Sequence, residues 1–572
     1  MPFLMIWRKK KARRLITSIY GLSFKPSIFH TLHHNLRRSV PQFSNWNHCA
    51  LPTPVFLRSL PYHDLNFSNT IAMQFAIIGA GISGLVTAKT LREYGASVLL
   101  FEKENQVGGV WADTRTYPGL TTQNSKRTYA FSDYPMPNHF DEWPTAEQMR
   151  EYLNGYTDKN GLREFIRFNT AVDMAEPLPN GGWHLTVTDQ SGTQEQFEVD
   201  YLISAAGTYS SPMLPQVPHQ EAFTGKVYHT STLPDWHTLK DKKVVVVGFG
   251  KSATDVADYL SRNATHPPTI VYRKPRWKVA RRVNNKIHIE YFVISRFMAG
   301  MSPYPRQFRV ERILHKLGIP KKNWRMVEKT FTKQFGLDKL GMVPQEPVES
   351  TLNCVTGLAP EGFYDQIAAG KLINKQGKIQ TFLPNGVELS TGEAIEADVV
   401  IFGTGFTQEL TYFPEDVVQR LEGRTGNYQL YRHTLPVEVP DLAFIGYTSS
   451  ITSAYNAEIS ARWLAEHLFG YMPLPDQEGQ RAQIQEMEAF FKKTVGISNK
   501  NTCISPVGFQ FAEDMLREMG AKLIRTKNPV KEWLDRFQPL NYGNLREELR
   551  RKKPEPTHQP QWGRRQTEDV EA

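Results

Sequence analysis

Two short segments constrain this chain more than anything else in it. In each, an apolar run ends in a glycine turn that opens a helical stretch. Phe75-Ala76-Ile77-Ile78 leads into Gly79-Ala80-Gly81-Ile82-Ser83-Gly84, and Val244-Val245-Val246-Val247 leads into Gly248-Phe249-Gly250-Lys251-Ser252-Ala253. The glycine spacing has a physical meaning at each step. Gly79 permits the tight turn, Gly81 lets the backbone approach a pyrophosphate, and Gly84 allows close packing of the helix, whose N-terminus then faces the anion. Continuous apolar strands alternating with helices predict parallel sheets buried on both faces. The expected fold is therefore α/β, built from two doubly wound, Rossmann-like dinucleotide-binding domains.

The residue that closes the next strand separates the two nucleotides. The strand after the first turn ends at Glu102, 23 residues beyond Gly79, where a carboxylate accepts hydrogen bonds from a ribose. The strand after the second ends at Arg273, 25 residues beyond Gly248, and a cation there suits a ribose 2'-phosphate. A P-loop would need glycine at position 245, which is Val245. Two nucleotide sites on one chain imply electron transfer between FAD and NADPH. Cys49, Cys354 and Cys503 are too far apart to form a paired redox motif, so a disulfide acceptor is excluded and oxygen leads. No HExxH or GxSxG motif occurs, which sets aside metal and serine-nucleophile chemistry.

Charge falls unevenly along the chain. Of the net +10, nine units lie before Met73, where ten Lys and Arg face one acid, Asp64. The rest is close to neutral, so a nucleic-acid partner loses its support. Residues 1–72 read as a basic leader: an unfolded targeting segment, or an extended start ahead of the first strand at Phe75. The expected location is cytoplasmic, or mitochondrial if the leader is a genuine transit peptide. No apolar run is long enough to span a bilayer.

Two polar hairpins lead into similar strands, Asp200-Tyr201-Leu202-Ile203-Ser204-Ala205-Ala206-Gly207 and Asp398-Val399-Val400-Ile401-Phe402-Gly403-Thr404-Gly405. This echo suggests one domain split by an insertion. The predicted layout is a first part of the FAD domain over 73–242, an NADPH domain over 243–344, a second part of the FAD domain over 345–545, and a charged, solvated tail over 546–572.

Further motifs carry a resemblance. Gly108-Gly109-Val110-Trp111, Gln123-Asn124-Ser125-Lys126, Phe131-Ser132-Asp133-Tyr134-Pro135, Phe223-Thr224-Gly225-Lys226-Val227-Tyr228-His229, Phe402-Gly403-Thr404-Gly405-Phe406, and Phe444-Ile445-Gly446 with Ala461-Arg462-Trp463 together resemble the flavin-containing monooxygenases, the single-component class that also holds the Baeyer-Villiger enzymes. The resemblance covers residues 73–470. It implies FAD contacts at Gly79, Ala80, Gly81, Ile82, Ser83, Glu102, Val110, Trp111, Gln123 and Asn124, and NADP contacts at Ser252, Ala253, Thr254 and Asp255, with Gly84, Gly248, Gly250 and Arg273 completing the two nucleotide sites. It departs from the family pattern at Leu233, where an aromatic residue is expected. Pro234 and Tyr117-Pro118-Gly119 are Baeyer-Villiger-like, whereas Gln123 stands where that subgroup has Asp. His229 is expected to organise a hinge.

The resemblance implies that NADPH reduces FAD, that the reduced flavin takes up O2 as a hydroperoxide, and that one oxygen atom passes to a soft nucleophilic nitrogen or sulfur, as in an N,N-dimethylaniline monooxygenase. Asn124 is the implied catalytic residue. Ketone oxidation of the Baeyer-Villiger kind is the alternative within the class, and a nucleotide-binding flavoprotein sensor without turnover is the alternative outside it. The expected partners are a small-molecule substrate and O2.

Overall fold

The computed structural model describes residues 73–233, 235–351, 357–423, 427–448, 450–494 and 507–560, all within one compact unit, Ala72–Ala572. The leader, Pro234 and the three cysteines lie outside the described residues.

The chain enters through strand β1 (Gln74–Ile78), turns into helix α1 (Ile82–Arg92) and returns in β2 (Ser97–Phe101). Short β3 (Ile166–Arg167) and an antiparallel meander (Thr170–Pro177, Trp183–Asp189, Gln194–Val199) lead to β4 (Tyr201–Ser204). The plan then repeats: β5 (Lys226–His229), β6 (Val244–Val247), helix α2 (Lys251–Asn263), β7 (Thr269–Tyr272), β8 (Ile373–Gln376), a second meander (Ile379–Leu383, Gly386–Leu389, Ala394–Glu396) and β9 (Val399–Phe402). Strand β10 (Leu442–Phe444) and helix α3 (Ser453–Leu468) come next.

Two parallel five-stranded sheets result. The first has the order β10-β4-β1-β2-β3 and the second β8-β7-β6-β9-β5. Side chains alternate across each strand, so each sheet feeds two cores. Phe75 and Ile77 pack with Leu85, Val86, Trp463 and Leu464 of α1 and α3, whereas Ala76 and Ile78 pack with Trp183, Leu185 and Val187 of the first meander. In the second sheet Val244 and Val246 meet Val256, Ala257 and Leu260 of α2, and Val245 meets Phe382, Val387 and Leu389 of the second meander. Burial on both faces is why the inner strands β1, β4, β6 and β9 are nearly all apolar.

This topology corrects the expected layout. The echo at Asp398 does not return the chain to the first sheet, because β9 pairs in parallel with β6, Val245 opposite Val400. The second sheet draws its strands from Lys226 to Phe402, and the chain re-enters the first sheet only at β10. The echo marks one module built twice: in both sheets the strand after the meander lies beside the strand that leads into the glycine turn. The tail reading is corrected as well for residues 546–560, whereas 561–572 lie outside the described residues. Residues 545–552 form a helix that buries Leu545 and Leu549, Arg550 pairs with Glu466 of α3, and His558 N–H donates to Gly470 O at 3.0 Å. Two leucines one turn apart supply the apolar face that a stretch so rich in charge conceals. Among the described residues no helix is long and apolar enough to cross a membrane.

Candidate active site

Both glycine turns are built alike. Gly79 N–H donates to Phe101 O and Gly248 N–H to Val271 O, each at 2.8 Å, which pins the turn to the end of the neighbouring strand. Gly79 has φ +100° and Gly248 has φ +125°, a region in which a side chain is strained. A Cβ on Gly84 would sit 1.8 Å from Gly79 O, so only glycine lets α1 approach the turn this closely. In the second module the corresponding helix residue is Ala253, and the space comes instead from Gly403 at the end of β9, where a Cβ would lie 2.6 Å from that of Ala253. Helices α1 and α2 both begin on a glycine, Gly81 and Gly250, with no side-chain cap and no acid in the first turn. Their first N–H groups and the positive end of each helix dipole are left for an anion.

One cleft of about 1,410 Å³ receives both turns. Pockets for one small ligand run to roughly 300–1,000 Å³, so the space suits two nucleotides. Its walls include Gly79, Gly81, Ile82, Ser83, Glu102, Val110, Trp111, Gln123 and Asn124 from the first module, and Gly248, Gly250, Ser252 and Arg273 from the second. Ala80 and Gly84 are not on its wall; the first acts through its N–H and the second through packing. Ala253, Thr254 and Asp255 are likewise held inside: all three are buried, and the Asp255 carboxylate accepts from Tyr117 Oη at 3.0 Å and pairs with Lys251.

Glu102 is buried at the tip of β2. Its Oε2 accepts from Ala80 N–H at 2.7 Å and its Oε1 from Glu104 N–H at 3.0 Å, leaving one lone pair on each oxygen toward the cleft. Burial pushes its carboxyl above the usual range, against the pull of those two N–H groups. Gly108 N–H donates to Ala80 O at 3.1 Å, and a Cβ on Gly109 would lie 3.2 Å from Gly81 Cα, so the Gly108-Gly109 loop lies against the first turn.

Arg273 is exposed within the second half of the cleft, and its guanidinium makes no ion pair among the described residues. Its neighbours Lys274 and Arg276 share the carboxylate of Glu346. These groups fit the two cofactors expected from the sequence: a bare glycine cradle with a ribose-facing acid in one half, and an uncapped helix with a free guanidinium in the other.

Asn124 stands on the cleft wall and is nearly fully buried. Its side chain does not close a local turn on its own backbone; its amide donates to Ile451 O, 327 residues away. Thr122 Oγ1 donates to Asn124 O at 2.7 Å. Among the described residues the side-chain carbonyl of Asn124 accepts no hydrogen bond. Gln123 Oε1 accepts from Leu358 N–H at 3.2 Å, tying this segment to the second module's part of the chain.

His229 closes the crossing between the sheets. Its Nδ1 accepts from Ser231 N–H at 3.3 Å, which leaves Nε2–H to donate to Gly405 O at 3.0 Å. Burial lowers its pKa, so the ring is neutral and acts as a brace. Beside it, Ser211–Pro212 and Phe406–Thr407 form a two-stranded ribbon where the two connections pass. Leu233, at the position expected to be aromatic, packs in the α2 core.

Two contributors escaped sequence reasoning. Arg115 lines the cleft and bonds Tyr209 O, but it ends a single 3-10 turn, Asp113–Arg115, that carries no motif. Glu290 touches the Asn124 segment from 165 residues away, and an isolated acid in a weakly patterned stretch gives no signal.

Residues 72–526 match the family described as FMO-like, flavin-binding monooxygenase-like. Flavin-containing monooxygenase 3 of Macaca mulatta is 27% identical over 432 residues, covering 72% of this chain and 76% of its own. Among solved structures, S-allyl-L-cysteine S-oxygenase from Allium sativum superposes with a TM-score of 0.53 at 18% identity, over 85% of this chain and 94% of that one. The OTEMO complex with FAD and NADP gives a TM-score of 0.56 at 17% identity, over 85% of this chain and 99% of that one. At such identities the structural likeness concerns the fold.

Proposed function

Because this chain belongs to the flavin-binding monooxygenase-like family, we propose that it is an NADPH-dependent flavoprotein that passes one oxygen atom of O2 to a soft nucleophilic nitrogen or sulfur of a small molecule. The observation that carries the reading is that both glycine turns open into one cleft, so that two nucleotides bound there meet. The flavin, when bound, carries electrons from NADPH to oxygen and supplies the activated oxygen.

The chain's own residues do the rest. The Gly79 and Gly248 turns, with the uncapped starts of α1 and α2, take the pyrophosphates. Glu102 accepts from a ribose hydroxyl, and Arg273 takes the 2'-phosphate with paired, charge-assisted hydrogen bonds. Asn124, buried on the cleft wall with its side-chain carbonyl unbonded among the described residues, holds the reacting groups in one geometry without taking a proton. No acid or base is required on the substrate, since an amine or thioether brings its own lone pair. Trp111 and Asn124, both buried, line the part of the cleft from which water must be kept away from the reacting oxygen.

The test is a purified chain with its flavin spectrum recorded, offered thioethers, N,N-dimethylaniline and cyclic ketones. Sulfoxide or N-oxide formed in step with NADPH consumption is expected. An ester formed from a ketone would assign the chain to Baeyer-Villiger chemistry. Tight binding of both nucleotides with neither product nor peroxide would overturn the enzyme reading in favour of a sensor.

A further inference from the structure

Glu290 lies at the start of a single helical turn, Glu290–Val293, in a part of the chain that carries neither glycine motif. Its side chain has no exposed surface. A carboxylate removed from water this completely persists only where donors surround it. Ser125 N–H donates to Oε1 at 2.6 Å and Ser125 Oγ to Oε2 at 2.8 Å. Thr128 Oγ1 donates to Oε1, and Arg536 Nη1 reaches Oε2 at 3.4 Å. His288 Nδ1 accepts from the Glu290 N–H at 3.2 Å, its ring stacked on Trp143 with centroids 4.7 Å apart.

The donors are not scattered. Ser125 directly succeeds Asn124, and Ser125 O accepts from Thr128 N–H and Tyr129 N–H, both at 3.0 Å, so residues 125–129 form one tight turn. That turn is capped at its open N–H and at both hydroxyls by a carboxylate that comes from 165 residues away. Arg536, from near the C-terminus, balances the charge of Glu290 and of Glu142. Asn124 is therefore held on two sides: its amide by Ile451 O, and its backbone by the neighbouring residue that Glu290 fixes.

We propose that Glu290 is a positioning residue: it clamps the Ser125 turn and so sets the place of the Asn124 side chain in the cleft. The inference rests on Asn124 acting in the reaction. Glu290 itself touches no substrate or cofactor and transfers no proton.

The test compares Glu290→Gln, Asn124→Ala and the double variant, all loaded with flavin. An amide in place of the carboxylate keeps the shape but removes the negative charge that strengthens the bond from Ser125 N–H, and turns the oxygen shared by Ser125 Oγ and Arg536 into a donor that opposes the guanidinium. Glu290→Gln is expected to keep its flavin and to be reduced by NADPH at the wild-type rate. Product formed per NADPH should fall about tenfold, within the roughly hundredfold that a misplacement of about 1 Å can cost, with hydrogen peroxide making up the difference. In the Asn124→Ala background the same change should cost less than about twofold, because the two act as one unit. Independently of turnover, amide hydrogen exchange at Ser125 in the nucleotide-free protein should quicken by about tenfold or more. Glu290→Asp, which keeps the charge, should recover part of both.

Wild-type coupling and wild-type exchange in Glu290→Gln would overturn the proposal, as would fully additive losses in the double variant. If Glu290→Gln fails to hold flavin, Ser125→Ala removes one of the same bonds alone, and unchanged coupling in that variant would overturn it too. Faster exchange in Glu290→Gln together with wild-type coupling in Asn124→Ala would locate the fault in the role of Asn124 and not in the clamp.

Discussion

Arg273→Ala is expected to turn a chain selective for NADPH into one that treats the two nicotinamide coenzymes alike. Arg273 directly follows β7 as Glu102 directly follows β2, so the two modules carry opposite charges where a ribose would lie. A charge-assisted hydrogen bond contributes about 1.5–3 kcal/mol. Arg273 is exposed, so screening by solvent favours the lower end, and about 1.5 kcal/mol corresponds to a little over tenfold in Kd. Calorimetric titration of the flavin-loaded protein should show NADP+ weakened by about that factor and NAD+ changed by less than about twofold. The wild-type preference should shrink as salt is raised, because the contact is open to ions. Glu346 supplies an internal control. Its carboxylate occupies Lys274 and Arg276, so Glu346→Gln frees two cations beside the gap, and Arg273→Ala/Glu346→Gln should regain part of the lost affinity. Equal weakening of NADP+ and NAD+ in Arg273→Ala would refute the assignment and leave the guanidinium a structural role.

Three further outcomes are expected. Asn124→Ala should retain flavin and be reduced by NADPH, while product per NADPH falls by at least about tenfold and peroxide rises, a preorganised contact of this kind being worth about 2.7–4 kcal/mol; unchanged product yield would remove it from the site. Gly84→Ala should yield protein without flavin absorbance, because its Cβ would fall 1.8 Å from Gly79 O, and normal flavin content would show that α1 can retreat. Lys278 is fully buried over the Phe249 ring, its Nζ has no hydrogen-bond partner among the described residues, and burial lowers its pKa to about 7. Between about pH 7 and the usual lysine range the unfolded chain holds a proton that the native one lacks, so stability rises with pH there. Lys278→Met should raise Tm by about 3 °C or more at pH 7 and by much less at pH 10, and an equal gain at both would refute the buried-amine account.

The local chemistry of the site was largely legible in the sequence, and its long-range partners were not. A glycine turn after an apolar strand, an acid or arginine closing the next strand, and uniformly apolar parallel strands are each written within about thirty residues. Strand pairing is different in kind. The runs after Asp200 and Asp398 look alike because each comes after a meander and feeds the middle of a sheet, and nothing local says which sheet. Ala253, Thr254 and Asp255 come after the second turn as a family pattern suggests, but helical geometry turns them into the core beside Tyr117 and Lys251. Glu290 meets Ser125 and Arg536 only through the tertiary fold, and the helix over residues 545–552 was hidden by its own charge.

The borrowed outer strands have a consequence for how the chain is made. The second sheet takes its outer strand, β5, from ahead of its core, so every strand it needs has been synthesised by Phe402. The first sheet begins earlier, at Gln74, yet its outer strand and covering helix end only at Phe444 and Leu468. On the ribosome the host domain therefore waits, with one edge of β4 open, while the guest domain closes behind it, the reverse of the usual N-terminal-first order. An open apolar edge is where chaperones bind and where neighbouring nascent chains pair. Slowing translation between Phe402 and Phe444 would lengthen that exposure, whereas a pause placed far enough past Leu468 for α3 to have left the ribosome would leave both sheets complete.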